Sequence, residues 1–255
     1  MRADTSDNGG VSSGDAFSTS NLPLRGGKGR QWEGGYRVPY FIKAPGIAAP
    51  GSRSDVAVSG IDFFPTLLEL VGIATPGATP PRLVVRTVSG PVDAWPTEGL
   101  DGVSLVPLLR GSGALPAERL FFAHEPHYGN QGGEPASHAL RGDLKLILYH
   151  EDGREELYNI RNDVGEARDL AGNAAYASDL RQLREALQAW LADTGARMPS
   201  PDPLWDRGAR RERFEAARTT GAAQLEAQHA GFLAPAFEPN RDWWGSDPAP
   251  NAARL

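Results

Sequence analysis

Two glycine-rich segments near the start of the chain restrict its folding more than anything else in it. Ser6-Asp7-Asn8-Gly9-Gly10 is followed, after a Ser/Gly-rich gap, by Leu24-Arg25-Gly26-Gly27-Lys28-Gly29-Arg30-Gln31-Trp32-Glu33-Gly34-Gly35-Tyr36-Arg37-Val38-Pro39. Oxygen donors, cations and glycines crowd into a short span, the composition expected where backbone and charges converge on an anion. A site loop of this kind follows a strand in an α/β sheet. Residues 1–5 leave room for only a short one, so the chain is expected to begin part-way through such a sheet.

The rest of the composition narrows the classes. The 255 residues can bury a core, and 40% hydrophobic with 23% charged residues is ordinary globular usage. The 30 glycines and 21 prolines predict long loops. A net charge of -6 argues against general nucleic-acid binding. No apolar run approaches the length of a membrane span, and no secretory leader pattern is legible. Without cysteine there is no disulfide, thiolate metal site or thiol nucleophile.

Along the chain, residues 11–23 read as irregular loop, and Arg37 to Gly46 as a buried strand bounded by prolines and ending in a turn. Phe63 to Leu70 recurs at helical spacing, with Pro65 in the first turn and Gly72 as the stop. Residues 73–99 form a long connection, and Leu100 to Gly111 a turn and short helix. Four strand-like runs follow: 119–124, 137–141, 144–149 and 155–159. Arg141-Gly142-Asp143 and Glu151-Asp152-Gly153-Arg154 serve as hairpin turns, which predicts an antiparallel meander. Residues 178–192 place Leu180, Leu183, Leu187, Trp190 and Leu191 on one helix face, with Ser178 or Asp179 as cap. Beyond residue 200, Arg207 to His229 is helix-prone with few large apolar residues, which predicts a surface helix. Residues 235–255 read as a poorly ordered end.

Several residues could carry chemistry. Asp7 and Asn8 are adjacent oxygen donors of the kind a hard divalent cation takes, though Asp-Asn-Gly is equally common turn chemistry. Lys28, among glycines, either puts a compact charge against a phosphate or sulfate oxygen or is a solvated surface lysine. The spacing is not that of a P-loop. Glu33 and Arg37 are expected to pair and fix the loop. His127, Tyr128, Asn130 and Gln131 could hydrogen-bond sugar hydroxyls, with His127 able to move a proton, or simply form a polar loop.

The order of these motifs resembles the second half of a type I sulfatase of the alkaline phosphatase superfamily. Asp62-Phe63-Phe64-Pro65-Thr66-Leu67-Leu68-Glu69-Leu70, Leu100-Asp101-Gly102-Val103-Ser104-Leu105, Leu144 to Ile147, Glu156 to Asn159 and Asp163-x-x-Glu166-x-x-Asp169-Leu170 continue the resemblance over roughly residues 4–195. It implies the C-terminal end of an α/β catalytic domain (1–115), then a small four-stranded antiparallel sheet packed with a C-terminal helix (116–197), with a tail (198–255) outside it. It also implies that Asp7 and Asn8 are Ca²⁺ ligands, that Lys28 contacts a sulfate oxygen, and that the substrate is an aryl or carbohydrate sulfate. Pro126-His127-Tyr128-Gly129-Asn130-Gln131 resembles a segment of carbohydrate-type sulfatases.

The family makes its formylglycine nucleophile in Cys/Ser-x-Pro/Ala-x-Arg, well ahead of the Asp-Asn-Gly-Gly motif. Here no such segment precedes Asp7. The resemblance therefore implies an N-terminally truncated chain, inactive alone and marginal in folding, pairing with a separate N-terminal segment or binding sulfated sugar without turnover. A phosphomonoester or phosphonate ester hydrolase of the same superfamily is the alternative activity. The family is usually exported, so a periplasmic or extracellular location is the implied one.

Overall fold

The computed structural model describes residues 1–11, 19–72 and 100–216 apart from positions 112, 117, 130 and 205. The chain divides into two units, Met1–Ser200 and Pro201–Leu255. In the second, helix α5 (Arg207–Ala216) starts where the Asp206 carboxylate accepts from the Gly208 and Ala209 amides. The predicted helical stretch beyond Ala216 and the predicted poorly ordered end lie outside the described residues. No described helix is long and apolar enough to cross a membrane.

In the first unit, β1 (Arg2–Thr5) pairs antiparallel with β2 (Tyr40–Lys43), Thr5 opposite Tyr40. A strand does precede the Asp7 loop. The β2 run is not buried as its apolar composition predicts: its side chains alternate, and Phe41 is 67% exposed. Two-sidedness, not mean hydropathy, sets burial here.

Helix α2 (Phe63–Leu70) follows a single 3₁₀ turn at Gly60–Asp62. Asp62 is fully buried. Its carboxylate accepts from the Ser59 amide, the Val103 amide and the Arg119 guanidinium, the last at 2.6 Å. The Thr66 hydroxyl donates to the Asp62 carbonyl and accepts from the Leu105 amide, fixing the short helix α3 (Val106–Leu109).

The predicted meander is β3 (Leu120–Glu125), β4 (Ala136–Arg141), β5 (Leu144–Tyr149) and β6 (Glu155–Asn159), all antiparallel in sequence order. Gly142 and Gly153 supply the positive φ of its tight turns. Strand periodicity gives the sheet two unlike faces. Leu120, Phe122, Ala139, Leu146 and Leu157 pack on Leu180, Leu183, Leu187, Trp190 and Leu191 of α4 (Ala177–Asp193), with Phe122 stacked on Trp190. The α4 start differs from the predicted Ser178 or Asp179 cap. A 3₁₀ turn at Ala174–Tyr176 feeds into the helix, and Asn173 caps that turn by accepting from the Ala175 amide. The other face carries His138, Lys145, Tyr149, Glu156 and Tyr158, and it holds the glycine-rich segment.

Candidate active site

The two glycine-rich loops cross. The Gly9 amide donates to the Gly35 carbonyl at 2.8 Å, and the Lys28 amide donates to the Gly10 carbonyl at 3.0 Å. A Cβ on Gly9 would stand 1.7 Å from the Gly34 carbonyl oxygen, so the crossing admits only glycine. Asn21 ties the loops together: its side-chain amide donates to the Gly10 and Gly26 carbonyls, and its oxygen accepts from the Gly10 amide. The backbone next to Asp7 and Asn8 is thereby held against the turn that carries Lys28. Asp7 and Lys28 are exposed and Asn8 is half-buried, with the Ser6 hydroxyl donating to the Asn8 carbonyl at 2.8 Å.

The loop between β3 and β4 closes over the same turn. It is cinched by the Gly129 amide on the Gly133 carbonyl and the Gly132 amide on the Gly129 carbonyl, both 2.9 Å. A Cβ on Gly133 would lie 2.1 Å from the Gly29 carbonyl oxygen, and one on Gly29 would lie 3.1 Å from Gln131. Gln131 therefore sits beside the residue that follows Lys28. His127 and Tyr128 are exposed, and the Tyr128 hydroxyl donates to Glu151. Asn130 lies outside the described residues.

Beneath the loops, the polar face of the sheet supplies anchors that the sequence motifs do not announce. The Lys145 ammonium lies 2.9 Å from Glu33 Oε1 and 3.2 Å from Glu166 Oε1, all three side chains being buried. Glu166 Oε2 also accepts from the Glu33 amide at 2.6 Å. Burial pushes the Glu166 carboxyl above its ordinary range, with Lys145 opposing. The predicted Glu33–Arg37 pairing is thus corrected: Glu33 fixes α1 (Glu33–Tyr36), but its partner is a strand lysine. Glu156 Oε2 accepts from the Tyr149 hydroxyl, the Tyr158 hydroxyl and the Trp32 indole N–H. Gln31 donates to the Tyr149 hydroxyl, and burial raises both tyrosines. Arg25 stacks on Trp32 and donates to the Tyr158 hydroxyl and the Glu166 carbonyl. The available signal for these residues is Lys145 itself, a lysine between leucines in an otherwise apolar strand.

The donor set tests the implied ion. Asp7 and Asn8 offer oxygens, the right chemistry for Ca²⁺, but two donors fall short of the six to eight such an ion takes. No group of three or more His, Cys, Asp or Glu able to hold a metal occurs among the described residues. The set present does not form a Ca²⁺ site by itself.

One pentapeptide does carry the letters of the nucleophile motif, Ser137-His138-Ala139-Leu140-Arg141, but it lies far after Asp7. Its serine is 1% exposed and points to the α4 face of the sheet, opposite the glycine loops. It is held between two imidazoles. His124 Nε2 lies 2.9 Å from the Arg197 carbonyl and so donates to it. Its Nδ1 then accepts from the Ser137 hydroxyl at 2.7 Å, while His150 Nε2 donates to Ser137 Oγ at 2.8 Å. Burial and the neighbouring His124 lower the basicity of His150. This serine belongs to the packing of the sheet, not to the loop site.

Residues 4–73 match the family described as Sulfatase. A sulfatase of Formosa agariphila is 33% identical over 210 residues, covering 78% of this chain and 34% of that protein. Human arylsulfatase A is 31% identical over 198 residues, covering 68% of this chain and 34% of its own length. The N-acetylglucosamine-6-O-sulfatase of Bacteroides thetaiotaomicron is 27% identical over 160 residues, covering 60% of this chain and 24% of its own. The chain thus spans about a third of the length of the first two. Among solved structures, Ps i-CgsB superposes with a TM-score of 0.58 at 22% identity, over 86% of this chain and 42% of that one, which shows a shared fold.

Proposed function

The chain belongs to the sulfatase family, and from that premise we propose that it furnishes the anion-holding part of a sulfuric ester hydrolase. The observation that carries this reading is the loop crossing, in which the Lys28 amide is fixed to the Gly10 carbonyl. A compact ammonium on a turn held in this way suits a sulfate oxygen, and held charge of this kind stabilises the charge that grows as the ester bond breaks. In the hydrolysis, the bond between sulfur and the alcohol oxygen breaks, water supplies the oxygen that sulfate gains, and the leaving alcohol takes up a proton. Lys28 holds the sulfate through this change. Asp7 and Asn8 would supply two of the oxygens a Ca²⁺ ion takes. When bound, such an ion adds positive charge against the sulfate.

The carrier of the sulfate is proposed to be a carbohydrate. His127, Tyr128, Gln131 and Asn130 offer hydrogen bonds to hydroxyls, and one relative is by name an N-acetylglucosamine-6-O-sulfatase. Binding without turnover is a second reading, favoured by the position of Ser137 inside the sheet. The test is steady-state turnover of matched 4-nitrophenyl sulfate and phosphate by the protein produced from its natural gene, with Lys28→Met beside it. Preference for sulfate is expected, with kcat/KM falling on the order of a hundredfold in the variant. Preference for phosphate overturns the sulfuric ester reading in favour of a phosphate ester hydrolase, and an unchanged Lys28→Met overturns the anion-holding role of Lys28. Binding of sulfate ester with no turnover selects the second reading.

A further inference from the structure

We propose that Arg30 is a positioning residue that joins the Lys28 turn to the His127–Gly133 loop, so that an anion and the hydroxylated group bearing it are recognised by one coupled surface. The proposal rests on Lys28 being the anion-holding cation.

Arg30 touches both partners. Its backbone is part of the lysine turn: its amide donates to the Gly27 carbonyl at 3.0 Å, and a Cβ on Gly35 would stand 2.0 Å from its carbonyl oxygen. Its side chain leaves that turn and donates through Nη1 to the Gly132 carbonyl at 2.6 Å, a hydrogen bond joining residues 102 apart in sequence. The guanidinium lies so close over Gly132 that a Cβ there would stand 2.4 Å from Nη2 and 2.5 Å from Cζ. Gly132 also has a φ of +88°, a backbone conformation that favours glycine.

The same contact carries the neighbours of Gly132 onto the turn. The Gly29 carbonyl lies against Gly133 and Gly129, and Gln131 packs on Gly29, the residue after Lys28. Burial lowers the basicity of the guanidinium, with Glu134 opposing, which fits a cation taken from solvent for a structural purpose. Among the described residues the loop makes no ladder pairs, since β3 ends at Glu125 and β4 begins at Ala136. A charge-assisted hydrogen bond is among the strongest cross-links a short loop can have.

The consequence is a chemical preference. Because Gln131 is held beside the lysine turn, a ligand that places its anion on Lys28 meets an amide, and the same loop carries the exposed His127 and Tyr128. These groups suit a polar ring bearing hydroxyls, such as a sulfated sugar, better than a flat apolar ring. Arg30 makes this arrangement constant without itself touching the ligand.

The test is calorimetric titration with N-acetylglucosamine 6-sulfate, N-acetylglucosamine and inorganic sulfate, on the parent protein and on Arg30→Met, Arg30→Lys and Lys28→Met. Arg30→Met is expected to weaken the sugar sulfate about tenfold and inorganic sulfate less than twofold, with Arg30→Lys recovering part of the loss. Amide hydrogen exchange is expected to rise over residues 129–133 and not over β4 and β5. Equal weakening of both anions, no weakening of either, or unchanged exchange at 129–133 overturns the coupling. If Lys28→Met binds inorganic sulfate as tightly as the parent, the anion-holding reading fails, whatever Arg30 does. A parent protein that binds none of the probes refutes both.

Discussion

Lys145→Met is the sharpest perturbation of the scaffold beneath the loops. The substitution keeps an unbranched chain of similar length but removes the ammonium that faces Glu33 at 2.9 Å and Glu166 at 3.2 Å. Two carboxylates would then stand together, Glu166 being fully buried. Removing one partner of a buried ion pair costs about 3–5 kcal/mol, because the remaining charge stays desolvated. For a unit of this size that corresponds to a loss of roughly 10 °C in Tm. The sign with pH is fixed: burial already raises the Glu166 carboxyl, and losing Lys145 raises it further. A carboxyl raised in the folded state contributes stability below its unfolded pKa, and that contribution is lost as pH rises through the folded value. The variant should therefore be least destabilised near pH 5 and most near pH 8. Urea unfolding followed by circular dichroism measures both quantities. In Lys145→Met/Glu33→Gln/Glu166→Gln, where no charge remains, most of the loss should be recovered. A single-variant loss below about 1 kcal/mol, no dependence on pH, or a triple variant as unstable as the single would refute the reasoning.

Two other outcomes follow from the same structure. His138 is buried against Tyr36, and both burial and the nearby Lys145 hold its imidazole well below the ordinary 6.5. The unfolded chain therefore takes up its proton first, and His138 removes stability as pH falls from about 6.5. Protonation of Glu166 acts in the opposite sense, so the measurement is the difference between the parent and His138→Gln in urea midpoints from pH 7 to 5. The parent should fall more steeply, and parallel curves would contradict this. Gly9→Ala should cost several kcal/mol or prevent folding, since its Cβ would overlap the Gly34 carbonyl oxygen at 1.7 Å. A thermal midpoint within a degree or two of the parent would show that the loops do not cross this closely.

The meander was legible because its signals are local. Gly142 and Gly153 mark turns, and the alternating leucines of Leu144 to Leu148 mark a strand with one apolar face. Helix α4 was legible for the same reason, since five residues at 3.6 spacing record the face it buries. What the sequence concealed is reciprocal. Lys145, Glu166 and Glu33 are separated by long stretches of chain, and nothing local says that they meet. The same holds for Arg30 and Gly132. The β2 run is apolar without being buried, because its side chains alternate between two sides and Phe41 is exposed. In the site itself, glycine density pointed to backbone and charges converging on an anion, but not to the crossing of the two loops or to Asn21 as the residue that bridges it. A serine in a formylglycine-like pentapeptide could be judged only by its placement, on the sheet face away from Lys28.

The central claim is that the Asp7–Gly10 and Gly26–Gly35 segments form one anion site. Amide chemical shifts recorded while the protein is titrated with N-acetylglucosamine 6-sulfate test it directly. The account predicts that Gly9, Gly10, Lys28 and Gly29 shift together with a single dissociation constant, and that Lys28→Met abolishes the shifts. Shifts confined to one of the two loops, or preserved in Lys28→Met, would contradict it.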